Sequence, residues 1–179
     1  PTVRFAFDEV RHGHLPLWNP YQVAGEPFFA NQQHGLLYPL NGLFLLLPPQ
    51  VAFKWTAIVH VALALVFAAY LGRTVGLSTG ATLLTALTFT FGFLPSLIYV
   101  RTWLNGAIWL PLELALAIRL FRGEPGARVV LALAAVFMCQ YVGGYPMYNL
   151  LAGYAIGFLA LWQSLALLRR RQWRTALRG

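Results

Sequence analysis

The chain has 179 residues, of which 59% are hydrophobic and only 10% charged. Soluble domains carry about 25% charged residues, and here the apolar residues come in long blocks, which excludes an ordinary water-soluble fold and makes the bilayer the main solvent. Thirteen Lys and Arg against five acids give a net charge of +8. The arginines sit in short gaps between apolar blocks and not along one face or stripe, so nucleic-acid binding is excluded and a membrane-loop pattern fits.

The single cysteine, Cys139, has no internal disulfide partner and lies in an apolar run, where a buried inert thiol is expected. No signal peptide is visible. The chain opens on Pro1 and closes on an Arg-rich stretch. It therefore reads as a fragment of a longer protein.

Residues 1–50 form a first segment. They hold three of the four histidines and three of the five acids. Turn signals recur at Asn19-Pro20, Gly25-Glu26-Pro27 and Pro39-Leu40-Asn41-Gly42, interleaved with Trp18, Tyr21, Phe28, Phe29 and Tyr38. Aromatic side chains among polar ones suit a membrane–water interface. Short interfacial helices and turns are expected, with Leu36 to Leu47 as one helix ending at Pro48-Pro49. Five apolar blocks follow over residues 51–179: about 51–71, 78–100, 103–121, 128–144 and 147–168. Pro95 is expected to kink the second near its end. The fourth is short for a span, which needs about 20 residues. The predicted fold class is thus all-α, a polytopic transmembrane helical bundle of about five spans preceded by an interfacial loop.

Orientation follows from the gaps. If the first block runs from outside to inside, nine of the Lys and Arg residues fall on the cytoplasmic side and four outside, which is the favoured sense. Residues 1–50 are then external, together with the Arg101–Asn105 corner and the Gly143-Gly144-Tyr145-Pro146 turn. The Arg169–Arg178 cluster is a topology signal that also suits anionic headgroups.

Glu113 is the most telling single residue. It lies mid-block after Pro111, where an acid costs about 2.5–3.5 kcal/mol on insertion scales unless it faces a cavity or a partner. It is a candidate catalytic acid. The competing reading has it capping amides freed near Pro111 or remaining protonated. His60 lies at a similar depth, about 14–15 Å at 1.5 Å per residue, so a Glu113–His60 contact is expected to be allowed. Asp8 and Glu9 are adjacent carboxylates; on a helix they point to different faces, and solvated interfacial acids are the alternative to a base. His12, His14 and His34 have no ligand spacing that specifies a metal. Arg101 and Asn105 are four apart and share a helix face; Arg101 suits a phosphate or snorkels to the interface. No phosphate loop, dinucleotide fingerprint, nucleophile elbow or zinc-helix motif is present.

Four strings carry a resemblance: Gly13-His14-Leu15-Pro16-Leu17-Trp18-Asn19-Pro20-Tyr21, Gly25-Glu26-Pro27, Ala30-Asn31-Gln32-Gln33 and Tyr38-Pro39-Leu40-Asn41. Over nearly its whole length the chain resembles the bacterial YfhO-type membrane proteins. The stretch from Leu104-Asn105 to Trp109-Leu110-Pro111-Leu112 looks like the family's "N…WLPL" helix, and Gly143-Gly144-Tyr145-Pro146 looks like its "GHP"-like loop with Tyr145 in place of the usual His. The resemblance implies a C-type glycosyltransferase fold in the bacterial inner membrane. Such enzymes move a sugar from a polyprenyl-phosphate donor to an envelope glycopolymer or another extracytoplasmic acceptor. It implies an essential acid near the start of the first outer loop, expected upstream of Pro1, with Asp8 as the substitute candidate within this sequence. It also implies a phosphate contact at Arg101, and sugar contacts among Trp18, Asn19, Tyr21, Asn31, Gln32, His34 and Asn105. A divalent cation is the one cofactor it allows. The same loop residues also suit a purely folding role, because Trp-Asn-Pro-Tyr is a good turn former. The rival functions are a transporter or flippase, which paired intramembrane charges would favour, and a non-catalytic membrane assembly subunit.

Overall fold

The computed structural model describes residues 2–22, 24–93, 101–123 and 126–176. Among them the regular structure is all helical, and the one β-type pairing is an isolated bridge between Asn19 and Glu26. The helices are α1 (Thr2–Arg11), α2 (Leu43–Leu46), α3 (Pro49–Val75), α4 (Thr79–Leu87), α5 (Arg101–Ala107), α6 (Leu110–Phe121), α7 (Ala127–Val142) and α8 (Met147–Ala176). Two short 3-10 turns, Gln32–His34 and Pro39–Gly42, lie in the loop before α2.

Three helical stretches among the described residues are long and apolar enough to cross a membrane: Pro49–Val75, Trp103–Phe121 and Met147–Arg169. They fall on the first, third and fifth apolar blocks. The fourth block is the 16-residue α7. The second begins as α4 and widens into a π-helix over Thr88–Phe93; residues 94–100, with Pro95 and its expected kink, lie outside the described residues. The Leu36–Leu47 segment is not one helix. It divides into a 3-10 turn and the single turn of α2, because Pro39 starts the first and the backbone tightens at Asn41-Gly42 before Leu43.

α3 shows why these helices pack. Its buried residues are Ala52, Thr56, His60, Ala64, Ala68 and Gly72, a strict every-fourth-residue stripe of mostly small side chains. Along the stripe Ala52 packs with Phe7 and Phe44, Ala64 with Leu104, Ala107 and Ile108, and Gly72 against Thr82 of α4, while Val51, Phe53, Trp55, Ile58 and Val66 stay exposed. Small residues let helix backbones approach closely in lipid, where packing and not water expulsion drives association. Gly72 marks the closest point: a Cβ there would lie 3.3 Å from Thr82 Cα of α4. Gly76, at φ 90°, ends α3 in the left-handed conformation with its N–H on Arg73 and Gly72 carbonyls. Ser78 then caps α4 by accepting from the Ala81 N–H.

The Trp103–Phe121 stretch is the centre of the bundle. Of its apolar window 56% is buried, against 6% for Met147–Arg169, so α8 is peripheral and shows apolar side chains such as Tyr154, Phe158 and Trp162 outward. α6 contacts α3, α7 and α8. At the end of the bundle where α3 finishes, Arg119 donates to the Tyr70 hydroxyl and Arg122 to the Thr74 carbonyl. At the opposite end lies the 1–48 segment. There α1 buries Ala6 and Phe7, and Phe7 stacks on Phe44 at 5.5 Å. Arg11 donates to the carbonyls of Phe44 (2.8 Å), Leu47 (3.1 Å) and Leu45 (3.3 Å), which supplies the donors that the end of α2 lacks.

Candidate functional site

The loop between α1 and α2 is built around one tight turn. Asn19 and Glu26 exchange both backbone hydrogen bonds, at 2.9 and 3.0 Å. The Asn19 side chain, itself buried, accepts from the Tyr21 N–H at 3.0 Å. Gly25, at φ 106°, lies flat against the Trp18 indole; a Cβ there would meet the ring at 2.6 Å. This pairing throws the Glu26 side chain toward His34, with Oε1 3.2 Å from Nε2. The His34 ring also lies parallel on Phe28, centroids 3.9 Å apart, and Phe28 meets Phe5 of α1 edge-on. Both members of the Glu26–His34 pair are mostly buried, at 18% and 12% side-chain exposure.

The next turn docks on the helices. Asn31 caps the 3-10 turn by accepting from the Gln33 N–H at 3.1 Å, and Gln32 donates to the Tyr141 hydroxyl of α7. Gly144, at φ 101°, receives this turn so closely that a Cβ would sit 2.8 Å from the Gln32 carbonyl. Between loop and helix lies a cavity of about 310 Å³ lined by Phe29, Asn31, Gln32, Leu36, Leu37 and Tyr141. It is half-open, amphipathic and at the lower end of the size range for small-molecule sites.

Below it, the loop is pinned by a hydrogen-bond chain whose direction is fixed. His60 Nδ1 lies 2.6 Å from the Thr56 carbonyl, which only accepts, so Nδ1 carries the proton in that contact. Trp109 Nε1 only donates, and it reaches the Tyr38 hydroxyl at 3.1 Å. In the neutral ring Nε2 is then the acceptor, and the Tyr38 hydroxyl donates to it at 2.9 Å. A second anchor is amide-based. Asn41 donates to the Gly35 carbonyl at 2.6 Å and Asn105 to the Gly143 carbonyl at 3.1 Å.

The residues singled out in the sequence divide accordingly. Asn31 and Gln32 line the cavity, and His34 sits two residues beyond them, paired with Glu26. Trp18 and Tyr21 are exposed, at 56% and 85%, with Trp18 over Gly25 and Tyr21 against Phe5. Asn19 and Asn105 are buried and hold the backbone. Asp8 is 44% exposed on α1 and forms ion pairs with Arg4 (3.5 Å) and Arg11 (3.7 Å) along the same helix. The Arg101 side chain lies outside the described residues. Glu113 is fully buried, but the expected Glu113–His60 pairing does not form: the His60 nitrogens go to Tyr38 and Thr56, and Glu113 lies by Gln140 instead. Glu26 and Tyr141 are the site residues that the sequence did not single out. The signal for Glu26 was the Asn19…Gly25-Glu26 spacing of a closed turn. Among the described residues no group of three or more His, Cys, Asp or Glu comes together to hold a metal. Glu26 and His34 supply two side-chain donors at the site.

No protein-family model matches the chain, and no curated protein or solved structure matches it.

Proposed function

We propose that the chain belongs to a membrane glycosyltransferase-like protein that transfers a sugar from a polyprenyl-phosphate donor to an extracytoplasmic acceptor such as an envelope glycopolymer. The observation that carries this reading is the amphipathic cavity under the 29–37 loop with a carboxylate–imidazole pair two residues away on the same loop. The arrangement suits a sugar hydroxyl: amides at Asn31 and Gln32 for hydrogen bonding, and aromatic faces at Phe29 and Tyr141 for packing. In the reaction the acceptor oxygen bonds to the anomeric carbon and the bond from that carbon to the phosphate oxygen breaks. The hydroxyl proton passes to the Glu26–His34 pair, and the lipid phosphate leaves as the anion. Arg101 is the cation proposed to meet that phosphate. The distribution of arginines supports an orientation with residues 1–50 outside, and the resemblance to the YfhO-type proteins is what suggests a bacterial inner membrane.

The test uses the full-length protein in membranes with labelled polyprenyl-phosphate hexose, following loss of label from the lipid. Wild type is expected to transfer the sugar, Glu26→Gln to lose about 10²–10⁴-fold in rate, and Asp8→Asn to keep most of it. A folded protein that transfers nothing across a panel of donors removes the enzyme reading. One observation favours a second reading, a transporter: Glu113 of α6 is a wholly buried carboxyl in a membrane-length helix, of the kind that marks ion and proton pathways, although no paired charge accompanies it among the described residues.

A further inference from the structure

Glu113 has 0% exposure, and the one polar side chain that reaches its carboxyl among the described residues is the Gln140 amide. Among the described residues no basic side chain answers it. On α6 itself, Arg119 reaches Tyr70. On α3, both His60 nitrogens are engaged by Tyr38 and Thr56. The titratable groups on α7 and α8 at this level are the Cys139 thiol and the Tyr141 and Tyr148 hydroxyls, none of them a cation. Among the described residues Glu113 forms no ion pair.

What does surround it is a file of buried amides running to the loop end. A single Gln140 side chain links the Gly106 carbonyl of α5 to Glu113 of α6. Its Nε2 donates to Gly106 at 3.1 Å, and it is the polar group beside Glu113. One turn on, Gly143 stands between Gln140 and Asn105: a Cβ there would lie 3.0 Å from the Gln140 carbonyl and 3.2 Å from Asn105 Cβ. Next comes Gly35 of the loop, whose Cβ position would be 3.1 Å from Asn41 Nδ2, 3.3 Å from the Gly143 carbonyl and 3.7 Å from Asn105 Nδ2. Asn41, Asn105, Gln140 and Glu113 are all 0% exposed. Asn105 Oδ1 and Gln140 Oε1 accept no hydrogen bond. The file thus carries spare acceptors and no spare acid or base until Glu113. Such oxygens can accept a hydrogen bond from a water or hydronium that reaches them.

We infer that Glu113 is a reversible proton-binding site inside the membrane, reached from the loop end past Asn41, Asn105 and Gln140. Hydronium gives its proton to a carboxylate oxygen, an O–H bond forms, one water remains, and the neutral acid can donate to Gln140 Oε1. The inference holds under either functional reading, because it assigns a proton site and no substrate.

The test is infrared difference spectroscopy on the full-length protein in lipid vesicles, with buffer changed on one side at a time. The expected result is a protonated-carboxyl C=O band that is present in wild type, absent in Glu113→Gln, and reversibly lost when the loop side is made alkaline. Glu113→Gln keeps shape and hydrogen-bonding capacity, so folding is preserved. Gln140→Leu is expected to keep the band but slow its response to a loop-side pH jump by an order of magnitude. Three results overturn the inference: a band shared with Glu113→Gln, a band indifferent to pH, or a response only to the arginine-rich side.

Discussion

Tyr38 shows how much one hydroxyl can fix. It accepts a hydrogen bond from Trp109, the residue capping α6, and donates one to His60 of α3, tying the loop to two helices at once. Tyr38→Phe keeps the ring and removes that donor and that acceptor together. Losing buried partners costs about 1–3 kcal/mol per group, so a clear drop in thermal midpoint is expected in detergent. The ring contacts with His60 and Trp109 survive the change, so a midpoint equal to wild type would mean that ring packing and not the hydroxyl holds the loop. The sequence marked Tyr38 as one aromatic among several, since nothing in a string shows which hydroxyl meets a helix 22 residues on. Glu26 was hidden for the same reason. Asp8 and Glu9 drew attention as adjacent acids, yet Asp8 serves ordinary helix-surface ion pairs, of the kind worth little in stability. The buried carboxylate–imidazole pair depends on the turn closing Asn19 onto Glu26, a nonlocal fact.

At the scale of the helix, α3 separates two faces that composition treats alike. Ala64 lies in the small-residue stripe and packs with Leu104, Ala107 and Ile108. Val66, two residues on, is 60% exposed. Ala64→Leu is expected to force α3 away from Leu104, Ala107 and Ile108, at a cost of about 1–3 kcal/mol for overpacking, whereas Val66→Leu should leave the midpoint unchanged. Thermal unfolding of both variants in one detergent decides the matter, and equal effects would contradict the packing face assigned to α3. The apolar blocks at 51–71, 103–121 and 147–168 were legible because length and hydropathy are local properties, and helices follow them. The π-helix at Thr88–Phe93 was not legible. Its extra residue per turn leaves no periodic trace in a run that is apolar on most sides. The division of Leu36–Leu47 into two turns also escaped the reading, although Pro39 and Gly42 were visible there, because Pro is equally at home at the first position of a longer helix.

For the molecule as a whole, the question is what keeps a polar loop seated on an apolar bundle. Three glycines do much of it by letting backbones touch: Gly35 against Gly143 and Asn105, and Gly144 against the 32–33 peptide. Gly144 is the most demanding, since it combines a left-handed φ of 101° with carbonyls at 2.8 and 3.0 Å from where a Cβ would stand. Gly144→Ala must pay for that conformation, about 1–3 kcal/mol, and cannot keep the carbonyls where they are. The loop should lift from the end of α7, the Gln32–Tyr141 bond should break, and the cavity should open. The helices pack through other faces, so helical circular dichroism should hold while proteolysis between Phe28 and Tyr38 accelerates. Gly153→Ala is the matched control, because nothing lies within 4 Å of its added methyl. If Gly144→Ala cuts no faster than that control, the seat must be carried by the Tyr38–His60–Trp109 chain, and the pair Tyr38→Phe with Gly144→Ala would then show only the first variant's effect. If it cuts faster, loop closure is set by backbone contact at the helix end, and both the cavity and the polar file that passes Gly35 open with it.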